Sequence, residues 1–123
     1  MCGLAGFIDS SGKKDNLQLA EVVSRMAETL RHRGPDDNAT WTDAQAGIAL
    51  GFRRLAILDL TESGRQPMHS HCKRFVIVFN GEVYNHCELR QQLESEGHSF
   101  RGRSDTEVIL AAVSQWGLQV GLK

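Results

Sequence analysis

The chain begins Met1-Cys2-Gly3-Leu4-Ala5-Gly6-Phe7-Ile8, and this stretch decides both the fold and the chemistry that we expect. The run from residue 3 to residue 8 is short and apolar, which predicts a buried β-strand at the start of the fold. Removal of Met1 leaves Cys2 with a free α-amine beside its own thiol. Near neutral pH a thiol needs a base to become a nucleophilic thiolate, and an amine with a pKa of about 8 is such a base. A nucleophile and its base therefore share one residue.

Composition and charge exclude several classes of function. The chain has 123 residues and a net charge of -1, so we expect one domain at most and no nucleic-acid partner. No apolar run approaches the ~20 residues of a membrane span, and no secretory signal opens the chain, which predicts a cytoplasmic protein without a membrane partner. The three cysteines are too few and too scattered for a disulfide framework. His69, His71 and Cys72 do not complete a tetrahedral ligand set, so no metal site is predicted.

Hydrophobic spacing predicts a mixed α/β or α+β chain with the element order β-α-β-β-β-α-β-α. Helices are predicted at residues 16–33, 85–96 and 104–116, and the last two each start with a capping-box pattern. After the first strand, further strands are predicted at 39–43, 47–60 and 74–79. The 74–79 strand is apolar on both faces, so we expect it to be covered on both. It leads into Asn80-Gly81, a dipeptide that favours positive φ and a sharp turn.

Five segments of the chain resemble, in this order and roughly this spacing, the glutaminase domain of glutamine-dependent asparagine synthetases. That domain is a class II glutamine amidotransferase. The segments are Met1-Cys2-Gly3-Leu4-Ala5-Gly6, Arg31-His32-Arg33-Gly34-Pro35-Asp36, Arg54-Leu55-Ala56-Ile57-Leu58-Asp59, Asn80-Gly81-Glu82-Val83-Tyr84-Asn85 and Ser104-Asp105-Thr106-Glu107. Residues 31–36 resemble the asparagine synthetase branch more than other branches, and we expect them to form a structural loop near the site.

The resemblance implies a fold and a reaction. The fold is α+β of the N-terminal-nucleophile hydrolase type, with stacked β-sheets covered by helices. The reaction is hydrolysis of L-glutamine to glutamate and ammonia, and the ammonia passes to a synthetase domain. ATP and Mg are expected only in that second domain, and no cofactor is expected in this chain. A homodimer is left open.

The resemblance also assigns roles to individual residues. Cys2 attacks the side-chain amide of glutamine to form a thioester, with its α-amine as the acid/base group. The side chain of Asn80 and the backbone N–H of Gly81 stabilise the oxyanion. Arg54 binds the glutamine α-carboxylate and Asp105 the α-ammonium. The pocket is completed by five further residues: Leu55, Ala56, Ile57, Leu58 and Glu82.

Several of these residues also have a purely structural interpretation. Asn80-Gly81 alone indicates a hairpin turn, Arg54 a solvated strand arginine, and Asp105 a carboxylate that complements a helix dipole. The family's glutaminase domain continues past residue 123, so we expect residues 1–123 to be its N-terminal part, with weak or no activity in isolation. A non-catalytic glutamine-binding remnant and an amidotransferase for a carboxylate other than aspartate remain as alternatives.

Overall fold

The computed structural model describes residues 2–56 and 62–122 and combines helices with sheet, as predicted. Two compact units divide the chain: Met1–Leu58 with Val78–Asn80, and Asp59–Ile77 with Gly81–Lys123. Within the described residues, no helix is long and apolar enough to cross a membrane. The elements in chain order are β1 (Gly3–Ile8), α1 (Asn16–Glu28), β2 (Asp37–Asp43), β3 (Ile48–Arg54), a 3₁₀ turn (Glu62–Gly64), β4 (Met68–His69), β5 (Val76–Ile77), α2 (His86–Ser95), α3 (Asp105–Trp116) and α4 (Leu118–Gly121).

The first unit is built on a three-stranded antiparallel sheet in the order β1-β3-β2. The central strand β3 pairs with β1 from Gly3↔Arg53 to Ile8↔Ile48, and it also pairs with β2. The strand predicted at residues 3–8 is confirmed, but the expectation that it is buried is wrong. Leu4 and Ile8 are 45% and 76% exposed, because successive strand residues point to opposite faces and α1 packs on one face only.

Helix α1 covers this sheet and starts where the sequence predicts. The Asp15 carboxylate accepts the Gln18 N–H at 2.8 Å, and the Gln18 side chain accepts the Asp15 N–H at 3.0 Å. These reciprocal bonds satisfy two amides that the first turn of a helix leaves unpaired. Leu19 and Val23 are fully buried and form the core of this unit with Ala49 of β3.

The predicted helix boundary at residue 33 is wrong by five residues, since α1 ends at Glu28. Beyond it, the N–H groups of Leu30 and Arg31 bond to the carbonyls of Ala27 and Glu28, three residues back. Bonds of this spacing form tight turns rather than an α-helix. Residues 29–33 therefore form a series of turns after the helix.

The second unit has a small helical core and a short hairpin. Leu93 of α2 packs with Val108 and Ala112 of α3, and all three side chains are at most 1% exposed. Strand β5 pairs only with β4 among the described residues, through Met68↔Ile77 and His69↔Val76. The prediction of a strand at residues 74–79 that is covered on both faces is therefore wrong. The strand spans only Val76–Ile77, and residues 75–79 are only half-buried. Apolar residues form a strand only where a partner backbone pairs with them, and β4 offers two residues.

The capping boxes predicted for α2 and α3 are wrong. Asn85 precedes α2, but its side chain makes no capping hydrogen bond. Ser104 does cap α3, accepting the Thr106 N–H at 3.2 Å. The Glu107 carboxylate does not reach back to Ser104, because it accepts two backbone N–H groups of the loop at 101–102 instead. Residues 98–104 contain no strand, so the strand predicted between these helices is also wrong.

The turn between β2 and β3 requires glycine at position 47, and this gives a first testable prediction. The φ of Gly47 is 69°, its carbonyl accepts the Asp9 N–H at 2.7 Å, and an added Cβ would overlap the Asp9 carbonyl. Gly12 has a similar φ of 64°, but a Cβ there meets no atom within 4 Å. We expect Gly12→Ala to lower the free energy of unfolding by about 1 kcal/mol, the cost of a left-handed backbone. Gly47→Ala should lower it further.

Urea unfolding followed by circular dichroism measures both losses. Gly12→Ala is the matched control, because it carries the backbone strain without the overlap. Equal losses in the two variants would contradict the close approach of Gly47 to Asp9.

Candidate active site

The Cys2 thiol lies against the main chain at the end of β3. Its sulfur accepts a hydrogen bond from the Leu55 N–H at 3.3 Å and lies 3.7 Å from the Leu55 carbonyl, to which the thiol donates. The side chain is half-buried. Two backbone atoms of one residue thus fix the position of the sulfur.

Strand pairing explains this contact. Gly3 pairs with Arg53, so the residue that precedes Gly3 lies beside the residues that follow Arg53. A Cβ added at Gly3 would touch Leu30, which follows α1, so position 3 faces the helix side of the sheet. Alternation along the strand then directs position 2 to the opposite face.

Arg53 and Arg54 are neighbours with different surroundings. Arg53 is 4% exposed and binds Glu28, the last residue of α1, with 3.0 Å between Nη2 and Oε2. Arg54 is half-buried and points to the other face of β3, the face to which position 2 is also directed. Arg53 thus anchors the strand to the end of α1, and Arg54 is the arginine that the resemblance assigns to glutamine.

The segment after β3 is held by Asp36, a residue that the resemblance places only in a structural loop. The Ala56 N–H donates to Asp36 Oδ2 at 2.8 Å, and the Asp36 N–H donates to the Arg54 carbonyl at 3.0 Å. Leu55 and Ala56 are half-buried. Ile57 and Leu58, also assigned to the glutamine pocket, lie outside the described residues.

Asn80, Gly81 and Glu82 are all exposed. Asn80 belongs to the first unit, whereas Gly81 and Glu82 belong to the second. The expectation of positive φ at this dipeptide is wrong, since neither residue is among the positive-φ positions of the described chain. Asn80-Gly81 therefore does not form the hairpin turn that its sequence favours. The Asn80 side chain makes no hydrogen bond to another described residue.

Asp105 is the first residue of α3, directly after the Ser104 cap. Its Oδ2 atom accepts the Val83 N–H at 3.0 Å. The carboxylate thus holds the segment that carries Gly81 and Glu82 against the start of α3 within the second unit. Asp105 is half-buried, and its place in the first turn is also where a negative charge stabilises a helix.

A separate cavity of about 100 Å³ in the second unit contains the histidine and cysteine cluster noted in the sequence. His69, His71 and Cys72 line it together with Phe100 and Leu110. Within residues 2–56 and 62–122, no three His, Cys, Asp or Glu side chains are arranged to hold a metal ion. The exposed thiol of Cys72 is the nucleophilic group of this cavity.

The Cys72 thiol has a lowered pKa. The Ser70 hydroxyl, 3.4 Å from the sulfur, and the Arg74 backbone N–H lower the pKa of Cys72 to about 7. The Ser114 hydroxyl lies 3.6 Å from the sulfur, but it donates its own hydrogen to the Leu110 carbonyl at 2.6 Å. Ser70 is therefore the hydroxyl group that stabilises the thiolate.

A pH profile of alkylation tests this assignment. We expect the rate at which iodoacetamide modifies Cys72 to rise with pH and to reach half its maximum near pH 7, because the thiolate is the reactive form. Ser70→Ala should move this midpoint upward, since the main donor to the thiolate is lost. The rates are measured by peptide mass spectrometry, with the exposed Cys87 as the internal reference. An unchanged midpoint in Ser70→Ala would assign the lowered pKa to another group.

Comparison with known proteins gives consistent matches along the chain. The sequence model of the glutamine amidotransferase domain family matches residues 1–123. Asparagine synthetase 3 (glutamine-hydrolysing) of Bacillus subtilis is 42% identical over 94% of this chain, and asparagine synthetase 1 (glutamine-hydrolysing) of the same bacterium is 40% identical over 90%. Amidase chyE of Penicillium rubens is 39% identical over 96%.

The matches cover most of this chain but a small share of the relatives. The chain spans 18%, 17% and 18% of the length of these three proteins. The resemblance noted in the sequence is confirmed, because the family model covers every segment that carries it. This chain belongs to the glutamine amidotransferase domain family.

Proposed function

We propose that this chain is the N-terminal part of a glutaminase domain, of the N-terminal-nucleophile hydrolase type, that hydrolyses L-glutamine to glutamate and ammonia. The observation that carries the proposal is the contact of Cys2 Sγ with the Leu55 backbone, next to Arg54. A thiol fixed beside an arginine suits attack on a substrate that carries a carboxylate. The family membership supports the same reaction.

In the proposed first step, the Cys2 thiolate attacks the side-chain amide carbon of glutamine. An S–C bond forms, and the carbonyl electrons move onto oxygen. The Cys2 α-amine, free once Met1 is removed, takes the thiol proton and gives it to the leaving nitrogen. The C–N bond then breaks, ammonia leaves and a thioester remains. Water attacks the thioester in the second step and releases glutamate and the thiol.

We assign the developing oxyanion to the Asn80 side-chain amide and the Gly81 N–H. Donors of this kind act on charge that exists only in the transition state, so they increase the rate more than they increase substrate affinity. The exposed Asn80 amide, without a side-chain bond to another described residue, is suited to this role.

The two ends of glutamine require opposite charges. We assign Arg54 to the α-carboxylate, because a guanidinium offers a planar pair of donors to a carboxylate. We assign Asp105 to the α-ammonium. The backbone from residue 55 to residue 58 and Glu82 complete the pocket.

We further propose that the ammonia passes to a synthetase domain that uses ATP and Mg, with aspartate as the acceptor. The Bacillus relatives are named as glutamine-hydrolysing asparagine synthetases, which favours this acceptor. The relative named as an amidase supports the alternative of another carboxylate. All three cysteines are free thiols, which fits a reducing compartment such as the cytoplasm.

The decisive experiment follows the N-terminus and the first covalent step. Mass spectrometry of the purified chain should show loss of Met1, and diazo-oxo-norleucine, a glutamine analogue with an electrophilic carbon, should label Cys2. Glutamine should protect Cys2 from this reagent, whereas Cys87→Ala should label as the parent chain does. Labelling needs only substrate binding and attack by the thiol, so it reports on the proposed chemistry even where turnover is slow.

Two outcomes would overturn the proposed function. Retained Met1 would place the Cys2 nitrogen in a peptide bond and remove the proposed base. Protection of the chain from proteolysis by glutamine, without labelling of Cys2, would favour the alternative of a non-catalytic glutamine-binding module.

The role of Asp105 can be separated from its contact with Val83. Asp105→Asn keeps an oxygen that accepts the Val83 N–H but removes the charge that the α-ammonium requires. We expect Asp105→Asn to raise the reagent concentration needed for half-maximal labelling about tenfold to a hundredfold, since a hydrogen bond to a charged group is worth about 1.5–3 kcal/mol. The maximal labelling rate at saturating reagent should change much less.

Glu107→Gln is the matched control for Asp105→Asn. Glu107 lies in the same first turn of α3, and its carboxylate also accepts backbone N–H groups. An equal loss of affinity in Glu107→Gln would show that the helix terminus, rather than the Asp105 charge, determines binding.

A further inference from the structure

The segment Gly34-Pro35-Asp36 runs along the end of β3, where it approaches the main chain of residues 53, 54 and 56. A Cβ added at Gly34 would overlap the Arg53 carbonyl and lie 2.7 Å from the Arg54 nitrogen. Glycine is therefore required here by the close approach of the segment to the β3 backbone. This approach brings Asp36 within hydrogen-bond distance of the residues beyond β3.

Asp36 makes two hydrogen bonds that bracket Leu55. Its N–H donates to the Arg54 carbonyl at 3.0 Å, on one side of Leu55, and its Oδ2 atom accepts the Ala56 N–H at 2.8 Å, on the other. Leu55 itself has its N–H and carbonyl directed to Cys2 Sγ. The residue that contacts the thiol is thus fixed on both sides by one aspartate.

We propose that Asp36 is a positioning residue for the nucleophile. It acts through the backbone: its carboxylate holds Ala56, Ala56 and Arg54 together hold Leu55, and Leu55 holds the Cys2 sulfur. The role rests on the proposed function of Cys2. It goes beyond that function in assigning a task to the segment at 34–36, which the glutamine pocket does not include.

Geometry, rather than charge, is the physical basis of this role. The Asp36 side chain is exposed, and an exposed carboxylate exerts only a screened field on its surroundings. What the structure requires is an acceptor at the position of Oδ2. A displacement of about 1 Å at a reacting group lowers rates by about 10²-fold, so loss of this acceptor has a measurable effect.

Three substitutions at position 36 separate position from charge. Asp36→Asn keeps an acceptor oxygen in place without charge, Asp36→Glu keeps the charge but moves the oxygens by one methylene group, and Asp36→Ala removes both. We expect the maximal rate at which diazo-oxo-norleucine labels Cys2 to stay within about threefold of the parent in Asp36→Asn. This maximal rate should fall about tenfold or more in Asp36→Glu and Asp36→Ala. The reagent concentration needed for half-maximal labelling should change little.

Asp15→Ala is the matched control. Asp15 also accepts a backbone N–H at 2.8 Å from an exposed position in the same unit, but at the start of α1. Its loss should lower stability and leave the labelling rate of Cys2 unchanged. If Asp36→Ala does not fold, the Cys2 labelling rates of Asp36→Asn and Asp36→Glu, compared with each other, still test the positioning role.

A second readout is independent of glutamine chemistry. Amide hydrogen exchange at Leu55 and Ala56, measured by NMR, should accelerate about tenfold or more in Asp36→Ala and remain near the parent rate in Asp36→Asn. If the parent chain is not labelled at Cys2, the proposed function fails, and this exchange alone decides whether Asp36 holds the segment. Unchanged exchange in Asp36→Ala, or parent-like labelling in Asp36→Glu together with slow labelling in Asp36→Asn, would overturn the positioning role.

Discussion

Backbone pairing between β1 and β3 determines where Cys2, the proposed nucleophile, lies. The pair Gly3↔Arg53 brings Cys2 beside Leu55, and both hydrogen bonds of the Cys2 sulfur depend on that register. A shift of one residue would move every side chain of β1 to the other face of the sheet. Phe7 of β1 opposes such a shift, because it packs against the fully buried core that Leu19 and Val23 of α1 form with Ala49 of β3. The position of the Cys2 thiol therefore depends on packing at the opposite face of the sheet.

Two adjacent arginines of β3, Arg53 and Arg54, point to opposite faces of the sheet. Arg53 is directed toward α1, where Glu28 neutralises its buried charge at 3.0 Å, and it thereby links the strand to the end of the helix. A buried guanidinium without such a partner would be costly. Arg54 points the other way because of strand alternation. Substitution of either residue by lysine would lose the planar arrangement of donors, but for Arg53 the loss affects the fold and for Arg54 the proposed carboxylate contact.

Predictions from sequence succeeded where the determining contacts are local. The start of α1 follows from Asp15 and Gln18, three residues apart, and Ser104 caps α3 as expected. The length predicted for the 74–79 strand was wrong, because strand length depends on a partner that is distant in sequence. Only two residues of β4 pair with this segment. The second half of the capping box at α3 failed because Glu107 binds loop amides instead. The contact of Cys2 with Leu55 spans 53 residues, and no local pattern encodes it.

Two carboxylates show why the site is harder to predict than the fold. Asp36 and Asp105 each accept one backbone N–H, from Ala56 and Val83 respectively, and each bond crosses about 20 residues of sequence. The sequence presents both as polar residues within motifs, and a motif does not distinguish a carboxylate that binds substrate from one that holds a segment. The second oxygen of Asp105, Oδ1, lies 3.5 Å from the Thr106 hydroxyl and accepts no backbone N–H among the described residues, so the proposed contact with the α-ammonium is compatible with the Val83 bond. For Asp36, the two hydrogen bonds on either side of Leu55 are the basis of the proposed positioning role. The two proposed roles therefore differ in what they require: a negative charge at Asp105 and an acceptor oxygen in a fixed position at Asp36.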